Sequence, residues 1–372
     1  MYGLVRTVAD AFIKTITMAL PVWRRAMVEK TFPAHLPCRP TAPANASMLS
    51  ATLVARLTET IHYDAYHIYR LHKVHVTWDG AVFHNFWVFE PSIVRRYFVK
   101  RFQDTLLLRQ WLGEKVKVSG NMVAVCHDQW STQNYYHWLI DSLPRLLALR
   151  SLYPGMQLML PCASPLQAIP EFISKSATLF GFANHLSLNP RQILSAKSVI
   201  LSELTANSLS QRPDLIREVQ KELLAALCPE TVRPFRRVYA ARAAGLARNW
   251  LNEAEAEAWL QQNGFEKIYF EQLSLLEQAR LMRETEMLLG VHGAGLANML
   301  FLPSHAKVVE LHNELYGDPC MLRLASCLSL AYYICPCDGT NDDLGNQSDV
   351  VVNLTVLQQV TALALTEKQT IG

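Results

Sequence analysis

Gly290-Val291-His292-Gly293-Ala294-Gly295-Leu296-Ala297-Asn298 decides how this chain reads. The apolar run Met287-Leu288-Leu289 leads into it and a helix-compatible segment from Leu296 to Phe301 leaves it. That is a strand, a glycine turn and a helix start. Glycines flanking a small alanine let the backbone approach a ligand without Cβ obstruction, and the unpaired N–H groups of the following helix favour an anion. His292, at the carboxyl end of the strand, points into the ligand crevice of such a unit. The spacing is neither G-x-G-x-x-G nor a P-loop, since no Lys-Ser/Thr follows the second glycine. It suits a phosphate or diphosphate, and it also suits a plain strand-to-helix turn.

Upstream and downstream of this turn the chain alternates strands and helices. In the second half, 237–240 reads as a strand, 253–263 as a helix closed by Gly264, and 267–270 as a strand. Ser274 with Glu277 forms a capping box for a helix to about 286. Strands at 287–291, 307–311 and 331–334 follow, then a closing helix at 356–365. The first half offers a hairpin around Asp79-Gly80, a strand at 123–126, a helix from about 135 to 152 and a strand at 158–160. A helix at 166–180, a strand at 198–201 and a charged helix at 214–227 complete it. Such alternation predicts α/β architecture with parallel sheets, as two Rossmann-like domains facing a cleft. The expected domains are 51–230 and 231–345, preceded by an arm at 1–50 and followed by a helix at 346–372.

Composition excludes several classes. With 372 residues, half of them hydrophobic and 18% charged, the chain can bury sizeable cores and is not a disordered segment. A formal charge of +3 is too mild for a nucleic-acid binder. Of the eight cysteines only Cys335 and Cys337 lie close in sequence, and C-x-C without a second pair is a poor zinc pattern. No metal site is expected. Neither a secretory leader nor a membrane-span-length window is legible, so the expected compartment is the cytoplasm. Val5, Val8, Phe12, Ile16, Leu20 and Trp23 recur at helical spacing. Such a segment either lies on a membrane surface or packs on its own domain, the second being the commoner case. The Pro-rich stretch from Pro33 to Ser47 reads as a linker or loosely held arm.

A second chemical cluster is Asn134-Tyr135-Tyr136-His137-Trp138-Leu139-Ile140-Asp141-Ser142-Leu143-Pro144-Arg145. His137 and Asp141 share one helix face, with Arg145 a further turn along. A His held beside a carboxylate can act as a general base near neutral pH. The same residues also fit a capping Asn134 with an aromatic core stripe.

Together these residues resemble the signature blocks of glycosyltransferase family 61. The matching segments are Asn134 to Asp141 with Leu143-Pro144-Arg145, and Gly290 to Asn298 with Leu300-Phe301-Leu302-Pro303 and Val308-Val309-Glu310-Leu311. A third block is Val238-Tyr239-Ala240-Ala241-Arg242, then Arg248 and Leu251-Asn252-Glu253. The likeness runs from about 120 to 335 and is nearest to bacterial capsule- or lipopolysaccharide-type members. It implies a GT-B-like architecture and inverting transfer from a UDP-sugar to a glycan, lipid-linked or other carbohydrate acceptor. Peripheral membrane contact is compatible with it, and nucleic acid is not a partner.

The resemblance implies roles as well. The base would be Asp141 or His137, one orienting the other. Leaving-group charge would fall to Arg242, the N–H groups around Gly293, Ala294 and Gly295, and Arg248, although residues 243–247 separate the two arginines. His292 would touch the diphosphate or anomeric centre, Glu310 the ribose, and Asn298 the turn or donor. Asn134, Tyr136, Trp138 and Arg145 would bind acceptor or support the site. No D-x-D motif occurs in the matched region, and no cofactor or metal is expected. Two other classes stay open: a non-catalytic scaffold in a polysaccharide assembly complex, and a GT-B-fold nucleotide-sugar epimerase.

Overall fold

The computed structural model describes residues 22–85, 87–94, 113–118, 122–162, 168–206, 209–243, 247–314 and 316–366. Most of the N-terminal amphipathic segment therefore lies outside the described residues. Its last piece, Val22–Trp23, is a short strand (β1). The chain divides into two compact units, one of residues 1–34 and 64–206, the other of 35–63 and 207–372. Residues 207–230 thus group with the second unit, and 35–63 do too, where the sequence suggested a boundary near 230.

The first unit is built on a ten-stranded sheet. Its further strands are β2 (Met27–Phe32), β3 (Tyr66–Thr77), β4 (Val82–His84), β5 (Trp87–Phe89), β6 (Glu114–Lys117), β7 (Met122–Val125), β8 (Leu158–Pro161), β9 (His185–Leu188) and β10 (Gln192–Ser202). The order is β1-β5-β4-β3-β10-β7-β8-β9, with β2 also on β3 and β6 also on β10. One side, β10-β7-β8-β9, is parallel as expected. The other side is not: β10 meets β3 antiparallel, and β3 meets β4 antiparallel through the Asp79-Gly80 turn. The four-residue connection 78–81 is too short for a parallel crossover, so this half cannot be a pure Rossmann sheet. β3 is also far longer than its apolar patch at 74–78. His67, Arg70, His72 and Lys73 interrupt the apolar pattern, and Lys73 takes a positive φ of 54°.

The second unit matches the sequence more closely. Its strands are β11 (Arg236–Ala240), β12 (Phe265–Ile268), β13 (Thr285–Val291), β14 (Lys307–Asn313), β15 (Ala331–Gly339) and β16 (Val350–Val351), in the order β12-β11-β13-β14-β15-β16. All neighbours are parallel except β15 and β16. β12 starts two residues before the expected 267–270, and Phe270–Gln272 forms a 3-10 turn instead of strand. The helix start after the glycine turn is likewise a 3-10 helix, Ala294–Phe301. The capping box at Ser274 is present, its side chain accepting from the Glu277 N–H. Leu289, Val309 and Tyr333 are fully buried between the layers, as expected of strands covered on both faces.

The Pro-rich arm is not loose. Asn45 is buried and its side chain both donates to the Ile334 carbonyl at 2.7 Å and accepts from the Ile334 N–H at 2.9 Å. Ala44 N–H adds a bond to the Tyr332 carbonyl at 2.7 Å. The arm thus satisfies backbone groups of β15 that would otherwise be stranded.

Candidate functional site

In the second sheet the chain leaves β11 toward β12 on one side, and leaves β13 toward β14 on the other. This is a topological switch point, where the carboxyl ends of adjacent strands open a crevice. The residues singled out in the sequence meet there. A Cβ placed on Gly293 would lie 2.5 Å from Arg242 Nη1 and 3.5 Å from Arg248 Nη1 and Cζ. Only a glycine lets both guanidinium groups approach the turn this closely. Gly290, one turn earlier, packs against Ala240 and Leu296 and keeps strand and helix close.

Arg248 reaches the turn at a cost in backbone strain. Its φ is 65°, a conformation unfavourable for a long side chain. The flanks impose it: Asn249 N–H donates to Asp349, and Leu251 N–H and the Asn249 carbonyl both bond Val350. The Nε atoms of Arg242 and Arg248 are buried and have no hydrogen-bond partner among the described residues, nor does either arginine form an ion pair there. Burial, and then the charge of Arg248, lower the Arg242 pKa to about 10; burial lowers that of Arg248. Two partly enclosed cations brought to one turn with no carboxylate in ion-pair contact make a site that favours an anion.

Below the arginines lies a buried acid–histidine network. His292 Nδ1 bonds Glu310 Oε1, and Tyr332 donates to Glu310 Oε2 at 2.7 Å. His312 Nδ1 sits 3.0 Å from Glu310 Oε2, close enough for attraction but not aligned for a hydrogen bond. Burial works against ionisation of Glu310, yet His312 and His292 hold it well below the usual carboxylate range. Burial likewise opposes a charged His292, but Cys320, Glu310 and Asp318 raise its pKa well above the ordinary value. Asp318 Oδ2 and Cys320 Sγ approach His292 Nε2 at 3.6 and 3.8 Å. Arg248, His292, His312 and Asp318 line a narrow pocket of about 10 Å³.

Glu310, expected at the ribose, is buried, and both its oxygens are engaged inside the protein by His292 and Tyr332. Asn298 is buried and donates to the Gly295 carbonyl at 3.2 Å, bracing the turn. His312, Asp318, Cys320 and Tyr332 were missed. His312 alone had a signal, since a residue two from Glu310 on a strand shares its face. The others are joined to the site only by tertiary packing.

The second cluster lies in the first unit, after β7. Asn134 caps the helix, accepting from the His137 N–H at 3.3 Å. Tyr135–His137 is α-helical, Trp138–Ser142 widens into a π turn, and Leu143–Arg150 resumes the α-helix. A π turn before Pro144 accommodates a residue that cannot donate to the ladder. His137 Nδ1 and Asp141 Oδ2 are 2.7 Å apart despite the widening. The Trp130 and Tyr136 rings flank His137, each 5.2 Å from it. Trp138 is fully buried and donates to Ser176 at 2.8 Å, and Tyr136 is buried too. Arg145 is enclosed, binding the Ser202 carbonyl at 2.8 Å and Asp128 at 3.1 Å. It ties the end of β10 to the loop after β7, which makes it a support.

All eight cysteines are unbridged. No described helix is long and apolar enough to cross a membrane.

Comparison with known proteins places these residues. Residues 135–309 match the family model described as Glycosyltransferase 61. The chain is similar to the "EGF domain-specific O-linked N-acetylglucosamine transferase" of Drosophila melanogaster, 41% identical over 83 residues, covering 20% of this chain and 16% of that protein. The Bos taurus protein of the same description is 42% identical over 64 residues, 17% of this chain and 12% of its own. "Alpha-1,3-arabinosyltransferase XAT3" of Oryza sativa subsp. japonica is 36% identical over 67 residues, again 17% and 12%. The aligned stretches thus span less than a fifth of these relatives.

Proposed function

With residues 135–309 belonging to glycosyltransferase family 61, we propose that this protein is an inverting, GT-B-type transferase. It moves a sugar from a UDP-sugar to a glycan or lipid-linked carbohydrate in bacterial capsule or lipopolysaccharide synthesis, in the cytoplasm or at the inner membrane face. One observation carries the reading: Arg242 and Arg248, unpaired, converge on Gly293 at the switch point of a parallel sheet.

Inverting transfer is a single displacement. The acceptor hydroxyl attacks the anomeric carbon, the glycosidic bond to the diphosphate breaks, and the hydroxyl proton passes to a base. Arg242, Arg248 and the first N–H groups of Ala294–Phe301 supply positive potential to the departing diphosphate. This provision replaces a divalent cation on the leaving group. His292, its Nδ1 held by Glu310, forms part of the floor of the same crevice. His137 is the base: its Nδ1–H donates to Asp141, which fixes the tautomer with a basic Nε2.

The test is a panel of UDP-sugars offered with carbohydrate acceptors, with and without added Mg²⁺ or Mn²⁺. Transfer with inverted anomeric configuration and no need of added cation supports the reading. Isomerised donor in the absence of acceptor would indicate an epimerase, and inertness toward every donor a scaffold.

A further inference from the structure

The buried network around His292 contains an arrangement that sugar transfer does not use. We propose that His292 Nε2, Asp318 Oδ2 and Cys320 Sγ form a site for one zinc-type transition-metal ion. The three groups are buried and their donor atoms lie within 4.8 Å of one another. The 3.6 and 3.8 Å separations from His292 Nε2 are too long for ordinary N···O hydrogen bonding in the first case and loose in the second. They are near what a tetrahedral ion needs. Bonds of about 2.0–2.3 Å set neighbouring donors roughly 3.3–3.6 Å apart, so a contraction of a few tenths of an ångström brings both His292 separations into range.

Three further features favour it. Glu310 takes His292 Nδ1 and is itself held by Tyr332, the carboxylate–histidine arrangement that presents Nε2 to a metal. Asp318 accepts the Cys320 N–H at 2.9 Å, so two of the ligands are already fixed by one turn. His292 and Asp318 also line the narrow pocket, which has room for about one water as a fourth ligand. The alternative group His292–Glu310–His312 is spaced as a hydrogen-bonded contact and is too tight for two ligands of one ion. A thiolate with an imidazole and one carboxylate selects zinc over Mg²⁺ or Ca²⁺. Binding releases the Cys320 thiol proton and the His292 Nε2 proton to solvent and leaves all oxidation states unchanged. This resident ion is separate from any cation carried on a diphosphate.

Cobalt(II) serves as the probe, added to the full-length metal-free protein. One Co²⁺ per chain, with a thiolate-to-cobalt charge-transfer band that Zn²⁺ removes, is the expected result. Cys320→Ser is expected to lose the band, and Asp318→Asn to weaken binding at least about tenfold. Should Cys320→Ser not fold, the double variant Cys335→Ser/Cys337→Ser is expected to keep the band. Absence of the band in the unaltered protein, its survival in Cys320→Ser, or its loss in the double variant overturns the site. None of these readouts involves nucleotide binding or sugar transfer, so the outcome stands apart from the transferase reading.

Discussion

Each unit holds a histidine bonded through Nδ1 to a carboxylate, and the two pairs differ in every other respect. His137 and Asp141 lie four residues apart on one helix, with side chains 20% and 7% exposed. His292 follows directly on β13 and Glu310 lies on the neighbouring parallel β14, 9% and 1% exposed, with Tyr332, His312, Asp318 and Cys320 around them. A pair that keeps contact with solvent can exchange a proton with an incoming hydroxyl. A pair enclosed by other titratable groups holds its charge and its position. The difference teaches that the same chemical couple is left able to exchange a proton in one setting and is locked in charge and position in the other.

The sharpest way to break this contrast is to truncate the more accessible histidine, His137. His137→Ala is expected to lower turnover at least about a hundredfold, the usual scale of a lost general base, with little change in Tm. A near-normal rate would remove it from the chemistry. The buried pair should answer in the opposite currency. Glu310→Gln leaves His292 without its main counter-charge and is expected to cost about 3–5 kcal/mol of stability, read by urea unfolding. A loss under about 1 kcal/mol would mean the network is not a rigid element.

Acidity distinguishes the pairs further. Asp318 is held at a pKa of about 2, burial opposing and the nearby His292 imidazolium prevailing. Its folded value lies below the unfolded one of about 3.9, so its contribution is present above that pH and is lost as the pH falls toward 2. His292 is raised, so its contribution is full below an unfolded value of about 6.5 and fades as pH climbs through the folded one. In metal-free protein the penalty of Asp318→Asn should therefore peak between about pH 4 and 6.5, at roughly 2 kcal/mol. A penalty that keeps growing above that window would contradict the pairing. The smallest effect sets the scale: Ser274→Ala removes one exposed helix cap that belongs to neither pair and should cost about 1 kcal/mol.

What the sequence disclosed follows the same divide between local and tertiary order. The His137–Asp141 pair was legible because helical spacing places it, and the π turn that intervenes leaves that contact intact. The glycine turn, the Ser274 capping box and the Asp79-Gly80 reversal are likewise local. β12 was displaced because Tyr269 and Phe270 extend an apolar run that the chain uses for a 3-10 turn. The mixed first sheet was hidden because charged residues and histidines break the pattern of β3. Asp318, Cys320 and Tyr332 reach His292 through packing that no spacing encodes. Arg248 returns across residues 243–247 only because Asp349 and Val350 hold its strained backbone.

The central claim is that Arg242 and Arg248 bind the diphosphate of a uridine nucleotide. It is tested most directly by calorimetric titration of the full-length protein with UDP, without added divalent cation and with CMP and GDP as controls. The account expects saturable binding of UDP alone, weakened at least about a hundredfold in Arg242→Ala/Arg248→Ala. Silence toward UDP, or equal affinity in the double variant, would contradict it.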